Sequence, residues 1–419
     1  MSPLKISWKS LWSKPLSSAL NIMLIAFGTG ILTILLLAST QISEKLDNNS
    51  KDIDLVVGAK GSPLQLILSS IYYIDFPTGN IPLKQAMELA HSPFVKRAVP
   101  LALGDNYNGT RIVGTDSNFV SLYKLKTAQG KFWQKDFEAA IGATVAKSQN
   151  LKIGDTFFGA HGLTSNSDVH KSHPYVVSGI LAPQGNVTDN LILTNVASVW
   201  KMHDEHEDHE HKADEDHAGH DHKAHEGHDH ETEDQSNDES RELTSLLIQY
   251  RSPMSVAMFP RLVNETTNMQ AASPAQESTR LFSLIGVGVD TLQWFAILIM
   301  FIAAISVFVN LYNSLKERNY DLAIIRTLGA SRTKLFLIII AEGIMLTLAG
   351  TVIGIILGHL VLEFIGSNQE SSQAQLTGFV LLYNEIYLFV AGLAIGIFAA
   401  IIPAIQAYKS NISKILAKN

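Results

Sequence analysis

The 419-residue chain contains no cysteine. Disulfides and thiolate metal sites are therefore excluded, and any exported domain must hold together by its own core. The chain also lacks the phosphate cradle G-x-x-x-x-G-K-[ST]; its glycine-bearing stretches, such as LIGVGVD, lead into apolar sequence. Charge is missing from four long stretches. Residues 15–43, 291–315 and 386–408 carry no Asp, Glu, Lys or Arg, and residues 335–362 carry only Glu342. Each is long enough to cross a bilayer, which takes roughly 20 apolar residues. The loop between the last two, residues 363–385, has no Lys or Arg at all.

The cations are concentrated elsewhere. Lys5, Lys9 and Lys14 precede the first apolar stretch, Lys316, Arg318, Arg326, Arg332 and Lys334 lie between the second and third, and Lys409, Lys414 and Lys418 follow the fourth. Short flanking segments keep their Lys and Arg on the cytoplasmic side, so both termini read as cytoplasmic and residues 41–290 read as exported. The first span is too long for a cleaved signal peptide and reads as a retained anchor.

Before that span, Leu4, Trp8, Leu11 and Trp12 share one helical face while Lys5 and Lys9 fall elsewhere. This pattern predicts an amphipathic helix over residues 1–15, lying against membrane lipid. The spans follow at 16–43, 291–315, 335–362 and 386–408, with an outer loop over 363–385 and a tail over 409–419. The exported segment, 44–285, shows short β-rich runs bounded by turn residues: DIDLVVG, FVKRAVPLAL, TRIVGTD, PYVVSGIL, DNLILTN and TSLLIQY. Helical periodicity appears in LKQAMELA and in MSVAMFPRLVNETT, where Pro260 is expected to interrupt or kink the helix. The fold class is thus a four-span α-helical membrane domain with an α+β domain inserted between spans one and two. Polar segments at both junctions, QISEKLDNNSKDID and SPAQESTRLFSLIGVGVD, are expected to extend the flanking spans into a stalk.

The net charge of -7 conceals a split. Residues 203–242 hold seventeen acids and three bases, or -14, so the remainder sums to +7. The balance is that of a membrane protein with one acidic insertion and points to no nucleic acid. That insertion contains ten of the fifteen histidines: His203, His206, His209, His211, His217, His220, His222, His225, His228 and His230. With almost no apolar residues it is expected to be a disordered loop. Imidazole and carboxylate suit Zn²⁺ or similar ions, so the loop is a low-specificity metal binder rather than a defined site, since closing any one ligand set costs chain entropy. A secondary carrier of zinc or other divalent metal would need paired ligands inside the spans, where spans one, two and four have neither charge nor histidine. A periplasmic metal sensor is the other alternative. A membrane-anchored hydrolase lacks any recognisable nucleophile and base around His161, His170 and His173. Glu342 is expected to serve structure by reaching the interface or Lys334. His359 and Glu363, four residues apart, read as interfacial polar residues without a third metal ligand.

Residues 316–334 carry the most information. In SLKERNYDLAIIRTLGASRTKLF, Leu315, Leu322, Ile325 and Leu328 form an apolar stripe, Gly329 is placed to end a helix in the left-handed conformation, and Ser331 can cap the next. The residues resemble the FtsX-like, MacB-type permeases of ABC transporters, whose segment has the sense of E-R-x-x-E-I-(I/G)-I-x-R-(A/T)-L-G-A-S. Glu317, Arg318, Leu322, Ile324, Arg326, Leu328, Gly329, Ala330 and Ser331 match it, and Asp321 stands where Glu is usual. Glu342 with Gly350, Gly354 and Gly358 continues the likeness, as does the closing IPAIQAYKSNISKIL, which has Ile412 or Ser413 where a proline is common. AAIGATVAKSQNLKIGDTFF and PYVVSGILAPQGNVTDNLIL resemble that family's periplasmic core. VVGAKGSPLQLILSSIYYIDFPTGNIP is similar to a narrower subgroup, here with a His-rich periplasmic loop.

The resemblance implies a permease subunit of an ABC transporter in the bacterial inner membrane, with no catalytic residues and no cofactor of its own. ATP would be bound only by a separate ATPase subunit. It further implies a second permease copy, a possible periplasmic binding or adaptor protein, and a lipoprotein- or peptide-like cargo moved or extracted by mechanotransmission. The short helix and turn over 316–334 would dock on the ATPase, with Glu317, Arg318, Asp321 and Arg326 as its polar groups, Leu322, Ile325 and Leu328 as its apolar stripe, and Gly329 as its turn.

Overall fold

A computed structural model describes residues 3–161, 173–202, 241–368 and 376–409. The chain divides into two units, Met1–Ser43 with Leu284–Asn419, and Glu44–Ser283.

The first unit is helical. Helix α1 (Pro3–Ser13) is followed by α2 (Pro15–Asn49). Counting onward through the second unit, α8 (Pro274–Glu317), α9 (Asn319–Thr327), α10 (Arg332–Ser367) and α11 (Ile386–Lys409) complete it. Among the described residues, four helices are long and apolar enough to cross a membrane: α2, α8, α10, and α11 with the turn before it. At 1.5 Å per residue, the 35 residues of α2 and the 44 of α8 run well past the roughly 30 Å of bilayer hydrocarbon. Helix α2 takes in the first nine residues of one polar junction segment, to Asn49, and α8 takes in the other from Pro274.

Lipid tails are as apolar as leucine, so spans associate by close packing rather than by hydrophobic burial. Gly350, Gly354 and Gly358, one turn apart on α10, meet α2. A Cβ on Gly354 would lie 2.6 Å from the Ala26 carbonyl oxygen, and one on Gly358 would lie 2.7 Å from Thr33 Cβ. The opposing Thr29 and Thr33 return their hydroxyls to the carbonyls of Ile25 and Thr29 at 2.8 and 2.9 Å, which satisfies them without a partner helix.

The second unit is α+β. Its strands are β1 (Leu55–Ala59), β2 (Ile81–Pro82), β3 (Val95–Tyr107), β4 (Thr110–Thr115), β5 (Thr127–Gly130), β6 (Glu138–Ile141), β7 (Thr156–Phe157), β8 (Ala160–His161), β9 (Tyr175–Leu181), β10 (Ile192–Asn195), β11 (Glu242–Leu243), β12 (Ser245–Tyr250) and β13 (Met269–Ala272). The main sheet runs β13-β1-β12-β3-β4-β10-β6-β9-β5, with β7 on β9 and β8 on β3. Among the described residues, only β10 with β4 and β6 with β9 are parallel pairs; β2 and β11 form a separate pair. Side chains alternate across the pleat, so each apolar strand feeds two cores. Val56, Val99, Val113, Leu193 and Leu247 enter one core with α3 (Pro63–Ser70) and α5 (Ser117–Leu122). Leu55, Val57, Leu246 and Ile248 enter another, beneath α4 (Leu83–Ala90) and α7 (Pro253–Thr266). Ile112, Ala139, Ile141 and Val177 line a third with α6 (Ala143–Ser148).

All six predicted strand runs are strands, and LKQAMELA is α4. Of the two outcomes expected at Pro260, an interruption does not occur: α7 continues through it. The carbonyl that loses its partner belongs to Val256, on the exposed side, where water can take it up.

Candidate functional site

The segment between the second and third spans is built by ordinary capping chemistry. Helix α8 ends at Glu317, and the Arg318 amide still donates to the Ser314 carbonyl at 3.1 Å. Helix α9 follows at once. Its end is closed by the Leu328 and Gly329 amides, which donate to the Ile324 and Arg326 carbonyls at 3.0 Å each. Gly329 sits at φ 99°, a conformation that side chains resist, and this turns the chain toward α10. Ser331 then caps α10 by accepting the Lys334 amide at 3.2 Å. Gly329 and Ser331 thus hold the positions their sequence predicts.

The apolar stripe is only partly what the spacing suggests. Leu315 is buried in the span core with Leu311, Ile339 and Ala404, because α8 has not yet ended there. Ala323 is buried, while Leu328 is 82% exposed. The backbones of Asp321, Leu322 and Ile325 belong to α9; their side chains lie outside the described residues.

Two polar links join this segment to the N-terminal part of the chain, one at Lys14, in the bend between α1 and α2, and one on α1 itself. Lys14 pairs with Glu317. Arg318 Nη1 donates to the Ser10 hydroxyl, which donates in turn to Glu342 Oε1 at 2.6 Å. Ser7 adds a hydrogen bond to the Ile338 carbonyl at 2.8 Å. Glu342 is 7% exposed, and a carboxylate inside a span is tolerated only when polar partners replace water. The sequence suggests Lys334 as a partner; the hydrogen bond found here comes from Ser10 of α1. That helix presents Ser7 and Ser10, three residues apart, to α10 and leaves Trp8 and Trp12 at 57% and 68% exposure. Sequence reasoning singled out the tryptophan face and missed the serine face. The i, i+3 spacing of the serines was the available signal.

At the other end of α10, His359 and Glu363 clamp the loop that follows. His359 faces the Gly378 carbonyl through Nδ1 and Glu385 Oε2 through Nε2 at 3.2 Å. Glu363 Oε2 accepts the Thr377 hydroxyl at 2.9 Å and the Gly378 amide at 2.8 Å. Gln41 of α2 completes the clamp by pairing with both backbone groups of Thr377. Every partner here is a loop group, so the pair fastens that loop. Among the described residues no group of three or more His, Asp or Glu could hold a metal ion. His203 to His230, the candidate metal ligands, lie outside the described residues.

Residues 294–412 match the family model of the FtsX-like permease C-terminal region, and residues 18–258, more than half of the chain, match that of the MacB-like periplasmic core domain. The chain belongs to the FtsX-like, MacB-type permeases of ABC transporters. Such permeases work with an ATPase partner, and this permease places its α+β unit between the first and second span helices accordingly. Among solved structures, it is similar to the periplasmic region of MacB from Actinobacillus actinomycetemcomitans, with 11% identity, a TM-score of 0.33, and coverage of 57% of this chain and 97% of that one. It is also similar to the extracellular domain of the noncanonic ABC-type transporter YknZ from Gram-positive bacteria, with 12% identity, a TM-score of 0.30, and coverage of 53% and 99%. No curated protein matches the chain.

Proposed function

We propose that this permease pairs with a second copy in the bacterial inner membrane, both termini cytoplasmic, and receives a separate ATPase on α9 and its Gly329 turn. Closure of the ATPase on nucleotide moves α9, and the span helices pass that motion to the α+β unit in the periplasm. The work is mechanotransmission that exports or extracts a lipoprotein- or peptide-like cargo, with a periplasmic adaptor or binding protein as the natural further partner. Zn²⁺ on the His-rich loop is an accessory that ties the transporter to zinc homeostasis.

The observation that carries this reading is the exposure of Leu328 at the end of a short helix whose start is anchored on both sides. Glu317 is tied to Lys14 in the bend between α1 and α2, and Arg318 to Ser10 of α1 and through it to α10, so a push on α9 reaches other helices. A leucine left in water beside a rigid turn is the kind of anchor that interfaces bury. Leu328→Asp is expected to strip the ATPase from the purified complex while the permease still inserts and folds. Undiminished co-purification and hydrolysis would contradict docking at this turn.

A further inference from the structure

The chain crosses between its two units only twice, within α2 at Ser43 and Glu44 and within α8 at Ser283 and Leu284. Any motion carried along the backbone passes through these two helices. Inside the second unit, both meet one side chain. The Tyr72 hydroxyl donates to the Leu46 carbonyl of α2 at 3.3 Å and lies 3.0 Å from the Ser278 hydroxyl of α8. With its single proton given to Leu46, the phenol oxygen accepts from Ser278, which makes a directed chain from α8 to α2. Tyr72 is buried, and so is Ser278.

The surroundings hold this side chain in place. Tyr72 follows α3, which lies against β1 and β13, and β13 leads directly into α8. The next residue, Tyr73, takes the left-handed conformation at φ 56°, and the Ile74 amide donates back to the Leu68 carbonyl at 3.1 Å. The end of α2 has two more ties: Tyr123 donates to the Asn49 carbonyl at 3.1 Å, and the Asn49 side chain accepts the Val187 amide at 2.8 Å. For α8, the Tyr72 hydroxyl is a link that reaches across to α2.

We propose that Tyr72 is a positioning residue that clasps the ends of α2 and α8, so that the two helices drive the periplasmic unit together rather than separately. The proposal rests on the transmission reading above. Burial keeps the phenol in its protonated, donating form by raising its pKa above the ordinary value. Removing the hydroxyl as Tyr72→Phe leaves the ring in its core and cuts only the clasp.

The test uses the full-length permease with its ATPase in nanodiscs, and the cysteine-free sequence allows one label per copy at exposed Ser117→Cys. Two readouts are taken. In Tyr72→Phe and Ser278→Ala, amide exchange in the first turns of α8 is expected to accelerate about tenfold, the worth of one to two net hydrogen bonds, with β3 unchanged. The change in label-to-label distance between nucleotide-free and ATP–vanadate states is expected to fall to less than half of the parental change, at parental ATP hydrolysis. Ser278→Thr, which keeps a hydroxyl, restores both. Parental exchange rates in Tyr72→Phe would overturn the clasp itself. Accelerated exchange with a full distance change would show a clasp with no part in coupling and would likewise overturn the proposal. A parent that shows no nucleotide-dependent change would sink the transmission reading instead, and with it this use of Tyr72.

Discussion

The Ser10 hydroxyl donates to the Glu342 carboxylate at 2.6 Å while accepting from Arg318, so one small side chain on α1 links a buried acid in α10 to the start of α9. A helix that sequence alone reads as a lipid anchor is therefore also a structural part of the coupling segment.

Ser10→Ala leaves the carboxylate without that donor in a water-poor site, which costs about 1–3 kcal/mol for an unsatisfied buried group. The purified permease is expected to melt several degrees lower. Glu342→Gln, which keeps shape and can still accept from Ser10, is expected to lose less than Glu342→Ala. Equal melting temperatures for all three variants and the parent would show that the relay carries no stability.

The second unit is expected to fail in alkali. Burial raises the pKa values of Tyr72, Tyr73 and Tyr123 above the ordinary value near 10. Below that value both folded and unfolded chains hold these protons and nothing changes. Above it the unfolded chain releases them first, so stability falls with pH by about 1.4 kcal/mol per unit for each tyrosine. Tyrosinate absorbance should therefore rise together with loss of structure, in one transition above about pH 10. Smooth ionisation near 10 with the fold intact would contradict the burial of these phenols.

Cutting residues 203–235 removes all ten loop histidines but leaves the residues that flank the insertion in contact. The Trp200 indole donates to the Glu242 carbonyl at 2.7 Å, and Arg241 lies 5.2 Å over the Trp200 ring, so the two edges already meet. Shortening a loop between fixed ends changes closure entropy by only about 0.6 kcal/mol per halving of length. Folding, pairing and chelator-insensitive ATPase activity are expected to persist, while Zn²⁺ binding by the purified protein is lost. In the parent, that binding should weaken below about pH 6.5, where free imidazoles take up protons. Loss of ATPase activity in the shortened chain, measured in chelator, would make the loop part of the engine.

The sequence was legible where a single physical rule dominates. Charge-free runs marked the spans, β-branched runs such as TSLLIQY marked the strands with two buried faces, and Gly329 and Ser331 marked a turn and a cap. It was silent where tertiary context decides. The β5, β6 and β13 stretches, TAQG, EAAI and MQAA, carry at most one β-branched residue each and are strands because neighbours pair with them. The Ser10–Glu342 and Tyr72–Ser278 contacts span 332 and 206 residues, and no local pattern links their members. Leu315 was misassigned for the same reason: periodicity gives a face but not which helix that face continues.

The most direct measurement places a photoreactive amino acid at Leu328 in membranes that hold the permease with its ATPase. A second is placed at Trp8, which is exposed on α1. Irradiation is expected to join position 328 to the ATPase subunit, and position 8 to lipid. An ATPase adduct absent from position 328 but formed elsewhere on the permease would contradict the central claim that α9 and its turn receive the motor.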